Sequence, residues 1–498
     1  MGANESHRAG SIFESTDWLT RGQRALEACR FDDARLAYAK ALELVPDSID
    51  ALRGLGYALF QLRQLAESLE TLERALRIDP TDLLSRLLMG RLCLRLQQPG
   101  GAVEHFGAIL HRIGNSAAAR SGLIDAYVAL GQLAEADALC QQILRAEPES
   151  ELGHLAAARL AGFKRDDEAA LSRFERLVQL WPGNPSHRYN RALCLLRMGG
   201  FDDGWRDYEF RFAAGAVNLR LPSMPRWDGR RVSHLLVLAE QGLGDAILFS
   251  RFVSDAARLT DQLTLVCPDS LVGLFNRSLG CTCISDRTAS WPQHDAHVPL
   301  MSLPFVLGLG AAAVAPRPAY LTVDPARRER CASLIGPRTN GPLRIGIVHA
   351  TSVAHSTEEN PWTRRSCQAE ELLPIVRVAG VEAYNLNLGR ARAQANAELP
   401  GLRELPGPLE DFDDTAAVVS LLDAVISVDT ACAHVAGAIG VRSFVLLPPA
   451  PDWKWQTHGP TSPWYESVRL VHKDFTGQWA GVAASLLQRL TLESSRGQ

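Results

Sequence analysis

Two kinds of apolar spacing divide the 498-residue chain. Up to about residue 215, apolar and small residues recur at helical spacing, in pairs of helix-length segments joined by short polar turns. The pairs share a period. Pro46, Pro80, Pro148 and Pro182 stand 34 residues apart or a multiple of that, and Gly114 occupies the missing node. In phase with them run Ala34, Ala102, Ala136 and Ala170, with Ser68 standing in once. Four residues on come Tyr38, Leu72, Phe106, Cys140 and Phe174, and three further on Ala41, Ala75, Ile109, Ile143 and Leu177. Trp18, Gly22, Gly56 and Gly90 fall in the earlier helix of several units. Small residues let two helix axes approach, the larger side chain fills the gap between neighbouring pairs, and proline ends the second helix. The pattern predicts five in-register helix pairs from 17 to 182. A sixth, "HRYNRALCLLRMGGFDDGWRDYEFRF", loses the phase after Tyr208 and reads as an end unit covering exposed apolar surface. Thr20, Gly54, Leu88, Gly122, Ala156 and Asn190 are expected to face the groove of the stack.

A period of about 34 residues with small residues at the helix contacts resembles the tetratricopeptide repeat (TPR). The array is expected over 17–215 with about six repeats, after a disordered tail at 1–16. Its groove suits a protein partner, or else packs against the rest of the same chain.

Beyond "LRLPSMPRWDGRRV" the period changes, and Pro222 and Pro225 mark a linker at 216–231. Short apolar runs now alternate with amphipathic ones. "HLLVLA", a predicted helix at 245–259, "LTLVC" and a helix at 269–279 form one series, which a less regular stretch connects to "AYLTVDP". A second series runs "LRIGIVHA", a helix at 368–379, "VEAYNLNL", a helix at 413–422, "AVISV", a helix at 431–439 and "SFVLLP". Apolar strands linked by helices predict parallel sheets covered on both faces. Two doubly wound domains, at 232–325 and 340–492, are expected to face each other. Ligands in such folds sit outside the carboxyl ends of the strands.

Composition narrows the partners. With 46% hydrophobic and 22% charged residues and a formal net charge of −4, nothing points to a nucleic-acid partner. No run of about 18 apolar residues predicts a membrane span, and the N-terminus lacks the apolar core of a signal peptide. The ten cysteines are scattered without zinc spacing and read as reduced thiols of a cytoplasmic protein.

The candidate chemistry lies just after the strands. Gln241-Gly242-Leu243-Gly244-Asp245 follows the first strand of the sheet region. As a dinucleotide fingerprint it fails, because the third glycine would belong at Ile247. Its glycines permit close approach of a sugar or acceptor. Asp245 is either a helix cap or a carboxylate placed to take a proton from an attacking hydroxyl. After "AVISV" come Asp429, Thr430, Ala431 and His434, where a helix start with small residues is a candidate phosphate site. Arg365 and Ser366 are candidate donors to a diphosphate, beside Arg364. Trp453, Trp455, Trp464 and Tyr465 suit a ligand wall or a packed seam. Asp411-Phe412-Asp413 matches a D-x-D metal motif in form but reads as helix capping, so no metal is expected.

Taken together, "WDG…LLVLAEQGLGDAILFSRF", "RRS", "DFDDTAAVVSLLDAVISVDTACAHVAGAIG" and "LLPPAPDWKWQ…SPWYESVRLVHKDFTGQW" resemble bacterial proteins that join TPRs to a heptosyltransferase-like glycosyltransferase domain, some of which modify flagellins. The resemblance runs from about Trp227 to Trp479. It implies an α-solenoid followed by an α/β GT-B fold of two Rossmann-like domains, and inverting, metal-independent sugar transfer without a cofactor. It further implies Asp245 as base, Asp429, Thr430, Ala431, His434, Arg365 and Ser366 at the nucleotide diphosphate, and Gln241, Gly242 and Gly244 in the acceptor and sugar loop. The chain departs from the family's pattern at His349-Ala350-Thr351 and at Lys454, so His349, Trp453 and Lys454 are candidate walls of the donor pocket. The expected function is sugar transfer from a nucleotide sugar to a hydroxyl on a flagellin-like or other protein held in the TPR groove. An inactive TPR scaffold and a lipopolysaccharide or small-glycan transferase are the alternatives.

Overall fold

The computed structural model describes residues 2–288, 290–336, 341–351, 365–405, 407, 409–456 and 459–473, with side chains from residue 13 onward except those of 312 and 313. Arg364, the Glu358–Pro361 loop and the end of the expected 340–492 domain lie outside the described residues. The chain forms two compact units that divide between Leu160 and Ala161, inside the repeat array rather than at its end near residue 215.

The first unit is all helical. Its helices are α1 (Gly2–Glu27), α2 (Phe31–Leu44), α3 (Ile49–Gln61), α4 (Leu65–Ile78), α5 (Leu83–Arg95), α6 (Pro99–Ile113), α7 (Ala117–Ala129), α8 (Leu133–Ala146) and α9 (Glu151–Phe163), which crosses the division. Helix α1 includes the stretch expected to be a disordered tail. No proline precedes Pro46, so nothing breaks the helix, and the Ser15 hydroxyl donates to the Ala41 carbonyl at 3.3 Å. The phase residues do what their spacing predicts. A Cβ on Gly22 or Gly54 would run into the Tyr38 ring, and one on Gly90 or Gly122 into the Phe106 ring. Each ring thus fills the space between two successive helix pairs. Gly54 and Gly122, expected on the groove, back onto those rings. Gly122 also borders a cavity of about 530 Å³ that Arg91, Arg95, Ser121 and Asp125 help to line. Gly114, at the node where the other repeats carry proline, ends α6 with φ +67, a conformation glycine adopts without strain.

The second unit opens with α10 (Asp167–Leu180), α11 (Pro185–Arg197) and α12 (Phe201–Tyr208). Two parallel sheets follow. The first has β1 (Val232–Leu238), α13 (Leu243–Phe249), α14 (Val253–Ala257), β2 (Thr260–Cys267), α15 (Asp269–Ser278), β3 (Thr282–Ser285), β4 (Ala296–Pro299), α16 (Leu303–Val306) and α17 (Ala311–Val314), with strand order β3-β2-β1-β4. Helix α18 (Pro325–Ile335) leads to the second, with β5 (Leu343–Val348), α19 (Leu373–Val376), β6 (Val381–Asn385), α20 (Gly389–Glu398), α21 (Phe412–Val419), β7 (Ala424–Val428), α22 (Ala431–Ala438), β8 (Ser443–Leu447) and β9 (Val468–His472), in order β6-β5-β7-β8-β9.

Some predicted boundaries shift for local reasons. The helix expected at 368–379 is a 3₁₀ turn at Ala369–Leu372 followed by short α19, because Pro374 interrupts it. The helix expected at 245–259 is split by a 3₁₀ turn at Ser250–Phe252. "AYLTVDP" is not a strand; the Tyr320 and Leu321 amides donate instead to the Ala438 carbonyl, at 2.8 and 3.1 Å. The four-residue strands β3 and β4 carry no alternation long enough to be read from sequence, and β9 was not marked either.

One apolar core runs from α11 and α12 through both sheets. The Trp205 and Tyr208 rings meet Trp453, each at 5.7 Å between centroids, and Trp205 meets Phe249 at 5.9 Å. A buried charge pair joins the same elements. Arg211 grips Glu240, at the end of β1, through Nε (3.2 Å) and Nη2 (2.7 Å), and also donates to Ser302 at 2.7 Å. Both side chains are fully enclosed. Removing one member of such a pair leaves an uncompensated buried charge. Arg211→Met is expected to cost about 3–5 kcal/mol in urea unfolding. Arg211→Met combined with Glu240→Leu is expected to recover most of that loss.

Candidate functional site

The carboxyl ends of β1, β2, β5 and β7 meet at one cavity of about 240 Å³ within the second unit. Gln241, Gly242, Leu243, Gly244, Asp245 and Pro268 line it from the first sheet. Thr351, Arg365, Asp429, Thr430, Ala431, His434 and Lys454 line it from the second. The site is therefore drawn from many separate turns, each placed by the end of a buried strand.

Asp245 stands at the third residue of α13, with Gly242 as the cap. Its Oδ2 accepts the Gly242 amide at 3.1 Å, the reach-back half of a capping box. Its Oδ1 lies 2.9 Å from Lys454 Nζ, across the cavity. Gly242 and Gly244 both line the cavity. A Cβ on Gly244 would stand 2.7 Å from His434 Cδ2, so this glycine lets α13 pack against α22. Gln241 holds φ +62, and its side-chain amide donates to the Tyr208 hydroxyl at 2.8 Å. The turn carrying Asp245 is thus tied to α12 through Gln241 and Glu240.

Lys454 is the electrostatic centre. Its Nζ also lies 2.8 Å from Asp452 Oδ1. Burial alone pulls an ammonium down, but Asp245, Asp452 and Asp429 overcome it and hold the Lys454 pKa well above the ordinary lysine value. Asp429 is buried, and burial raises its pKa despite Lys454 and Arg365, whose Nη1 stands 3.7 Å from Asp429 Oδ2. Asp452 was not singled out in the sequence. Asp452 sits two residues before Lys454, and only the fold shows that it is that lysine's second partner.

Thr430 does not cap α22 with its side chain; its hydroxyl hydrogen-bonds to Ser427 at 2.8 Å. In the first turn of α22 the Ala433 amide donates to the Thr430 carbonyl at 3.0 Å, while the amides nearest a helix start are in general donors without intrahelical acceptors.

His434 is buried and lines the cavity from α22. Burial, with Lys454 next in effect, lowers its pKa to about 3, so the ring is neutral. Tyr320 donates its hydroxyl proton to the Ile247 carbonyl at 2.9 Å, and Tyr465 hydrogen-bonds to Tyr320. His434 Nδ1 shares a hydrogen bond with the Tyr465 hydroxyl at 2.9 Å, and its Nε2 lies 3.8 Å from Asp429 Oδ1. The ring also stacks on Trp455 at 4.8 Å. Arg251 is buried beside this chain, lying over the rings of Tyr320, Trp464 and Tyr465.

Three candidate residues lie off the cavity. The Ser366 hydroxyl accepts the Thr351 amide at 3.1 Å and so shapes the loop instead of reaching the space. His349 is buried beneath the loop, with its amide on Asn387 Oδ1 at 3.1 Å, and burial lowers its pKa. Trp453 belongs to the aromatic seam with Trp205 and Tyr208. The D-x-D acids are committed to structure: Asp411 caps α21 and pairs with Arg327 at 2.7 Å, and Asp413 pairs with Arg277.

The neutral histidine gives a pH test. The unfolded chain binds a proton at His434 near pH 6.5 and the folded chain only near its depressed value, so stability falls as pH drops below about 6.5. Urea unfolding at pH 6.5 and 5 is expected to show roughly 1.5 kcal/mol of that loss in the wild type, removed in His434→Gln.

Residues 19–82 and 94–160 match models of the tetratricopeptide repeat. Protein FlbA of Caulobacter vibrioides is 24% identical over 469 residues, covering 87% of this chain and 71% of that protein. A tetratricopeptide repeat protein from Parabacteroides merdae is 17% identical with a TM-score of 0.35, covering 40% of this chain and 80% of its own. YrrB, described as a TPR protein with an unusual peptide-binding site, is 20% identical with a TM-score of 0.29, covering 35% and 91%. These structural overlaps are too slight to bear on the cavity. No described helix is long and apolar enough to cross a membrane. The chain is a TPR protein whose repeats precede an α/β region of two parallel sheets.

Proposed function

We propose that the second unit is an inverting glycosyltransferase of GT-B arrangement, acting on a protein hydroxyl with a nucleotide sugar as donor. One observation carries the reading. A single cavity at the strand ends of two parallel sheets sets the Asp245 carboxylate opposite Arg365, Lys454 and the start of α22. An acceptor hydroxyl attacks the anomeric carbon while the bond from that carbon to the phosphate oxygen breaks. The hydroxyl proton passes to Asp245, and the bonding electron pair leaves with the nucleotide diphosphate. Arg365, Lys454 and the amides nearest the start of α22 receive that charge. Neutral His434 lines the same cavity and can hydrogen-bond to the bound ligand. No metal is needed in this scheme, since cations and amides of the chain supply the charge.

The repeats bring the protein acceptor. The cavity bordered by Arg91, Arg95, Ser121 and Asp125 offers both signs of charge to a peptide. Holding the acceptor raises its effective concentration at the transferase.

A panel of nucleotide sugars, screened by thermal shift and then by turnover, tests the proposal. One donor is expected to raise the melting temperature and to be consumed. Asp245→Asn is expected to lower turnover roughly 10²-fold or more without abolishing donor binding. Full turnover in Asp245→Asn would overturn the assignment of the base, and no binding of any nucleotide sugar would favour a scaffold. Mass spectrometry of cells with and without the gene separates the acceptors. Sugar masses lost from a protein support protein modification, whereas changes confined to lipid-linked glycan assign the lipopolysaccharide alternative.

A further inference from the structure

We propose that Lys454 is an exchangeable cation: without ligand it bridges Asp245 and Asp452, and a diphosphate entering the cavity draws it off Asp245. The inference rests on the reading of this cavity as an anion site and adds the order of events within it.

Lys454 Nζ lies 2.9 Å from Asp245 Oδ1 and 2.8 Å from Asp452 Oδ1. The two carboxylates are not equivalent. Asp452 is bound to the lysine's own turn, because it also accepts the Lys454 amide at 3.2 Å. Asp245 belongs to α13 on the other sheet and reaches the lysine only across the cavity. One ammonium between two carboxylates carries an excess of negative charge, so it can exchange one of them for a phosphate and remain paired. Arg365, the other cation lining the described cavity, stands 3.7 Å from Asp429. Both cations are therefore held by carboxylates before a ligand arrives, and an anion must compete for them. A lysine suits such exchange. Its ammonium is a compact charge with three donors on a flexible stem, whereas a guanidinium fork is held by its planar geometry.

The consequence is an ordered site. Asp245 is engaged by Lys454 until the diphosphate is seated and becomes available to an acceptor hydroxyl only afterwards. Donor binding then precedes acceptor binding, and Asp245 competes with the donor for one cation.

Binding of inorganic pyrophosphate and of a nucleoside diphosphate, measured by calorimetry in a double-mutant cycle, tests this. Asp245→Asn is expected to bind pyrophosphate about tenfold more tightly than wild type, because Lys454 no longer has to leave a carboxylate. Lys454→Met is expected to bind it about tenfold more weakly, and the gain from Asp245→Asn is expected to vanish in the Lys454→Met background. Equal or weaker binding by Asp245→Asn overturns the exchange. A gain that persists without Lys454 also overturns it, because simple repulsion between Asp245 and the anion would then account for the effect. Should Lys454→Met fail to fold, Lys454→Gln completes the cycle. If neither anion binds the wild type, the anion-site reading itself fails. If both bind and the cycle shows no coupling, only the exchange fails.

Discussion

A charge removed from water must find its counter-charge, and the second unit is organised around two places where that happens. At the first, Arg211 and Glu240 lie fully enclosed, joining the segment after α12 to the end of β1. The pair is costly to enclose and costlier to break, so it fixes the register between the last repeat and the first sheet. Trp205 and Tyr208 spread the same junction over Phe249 and Trp453. The final helix pair is consequently part of the α/β core, which explains why the compact units divide inside the repeat array.

At the second place, Lys454 gathers Asp245 and Asp452, and Arg365 stands by Asp429. Burial raises Asp429 and lowers His434, both toward their neutral forms. The cavity thus holds a few strong charges, internally matched, beside an imidazole that is neutral. The Ile247–Tyr320–Tyr465–His434 chain extends this logic outward, linking the imidazole to the protein through successive hydrogen bonds.

Much of this was legible because it obeys local rules. The 34-residue phase located helix pairs whose glycines meet Tyr38 and Phe106, and apolar runs marked β1, β2, β5, β6, β7 and β8. Strand ends then pointed to Asp245, Asp429, Thr430 and Arg365, which line one cavity. Long-range pairing was not legible. Nothing in the spacing of "PDWKW" shows Lys454 reaching Asp245, and nothing around His434 foretells Tyr465 as its partner. Trp453 and His349 illustrate the same limit from the other side. An aromatic or an imidazole near a strand end serves core and ligand equally well, and only packing separates the two. The glycines of the Asp245 turn suggested room for a ligand, whereas Gly244 makes room for a second helix.

Gln241 keeps a left-handed backbone that glycine would adopt more cheaply, a preference worth on the order of 1–3 kcal/mol. What glycine lacks is the amide that reaches Tyr208. The turn is therefore held like a sprung latch whose catch sits on α12. That hydrogen bond links the last repeat to the turn that carries Asp245, four residues further on.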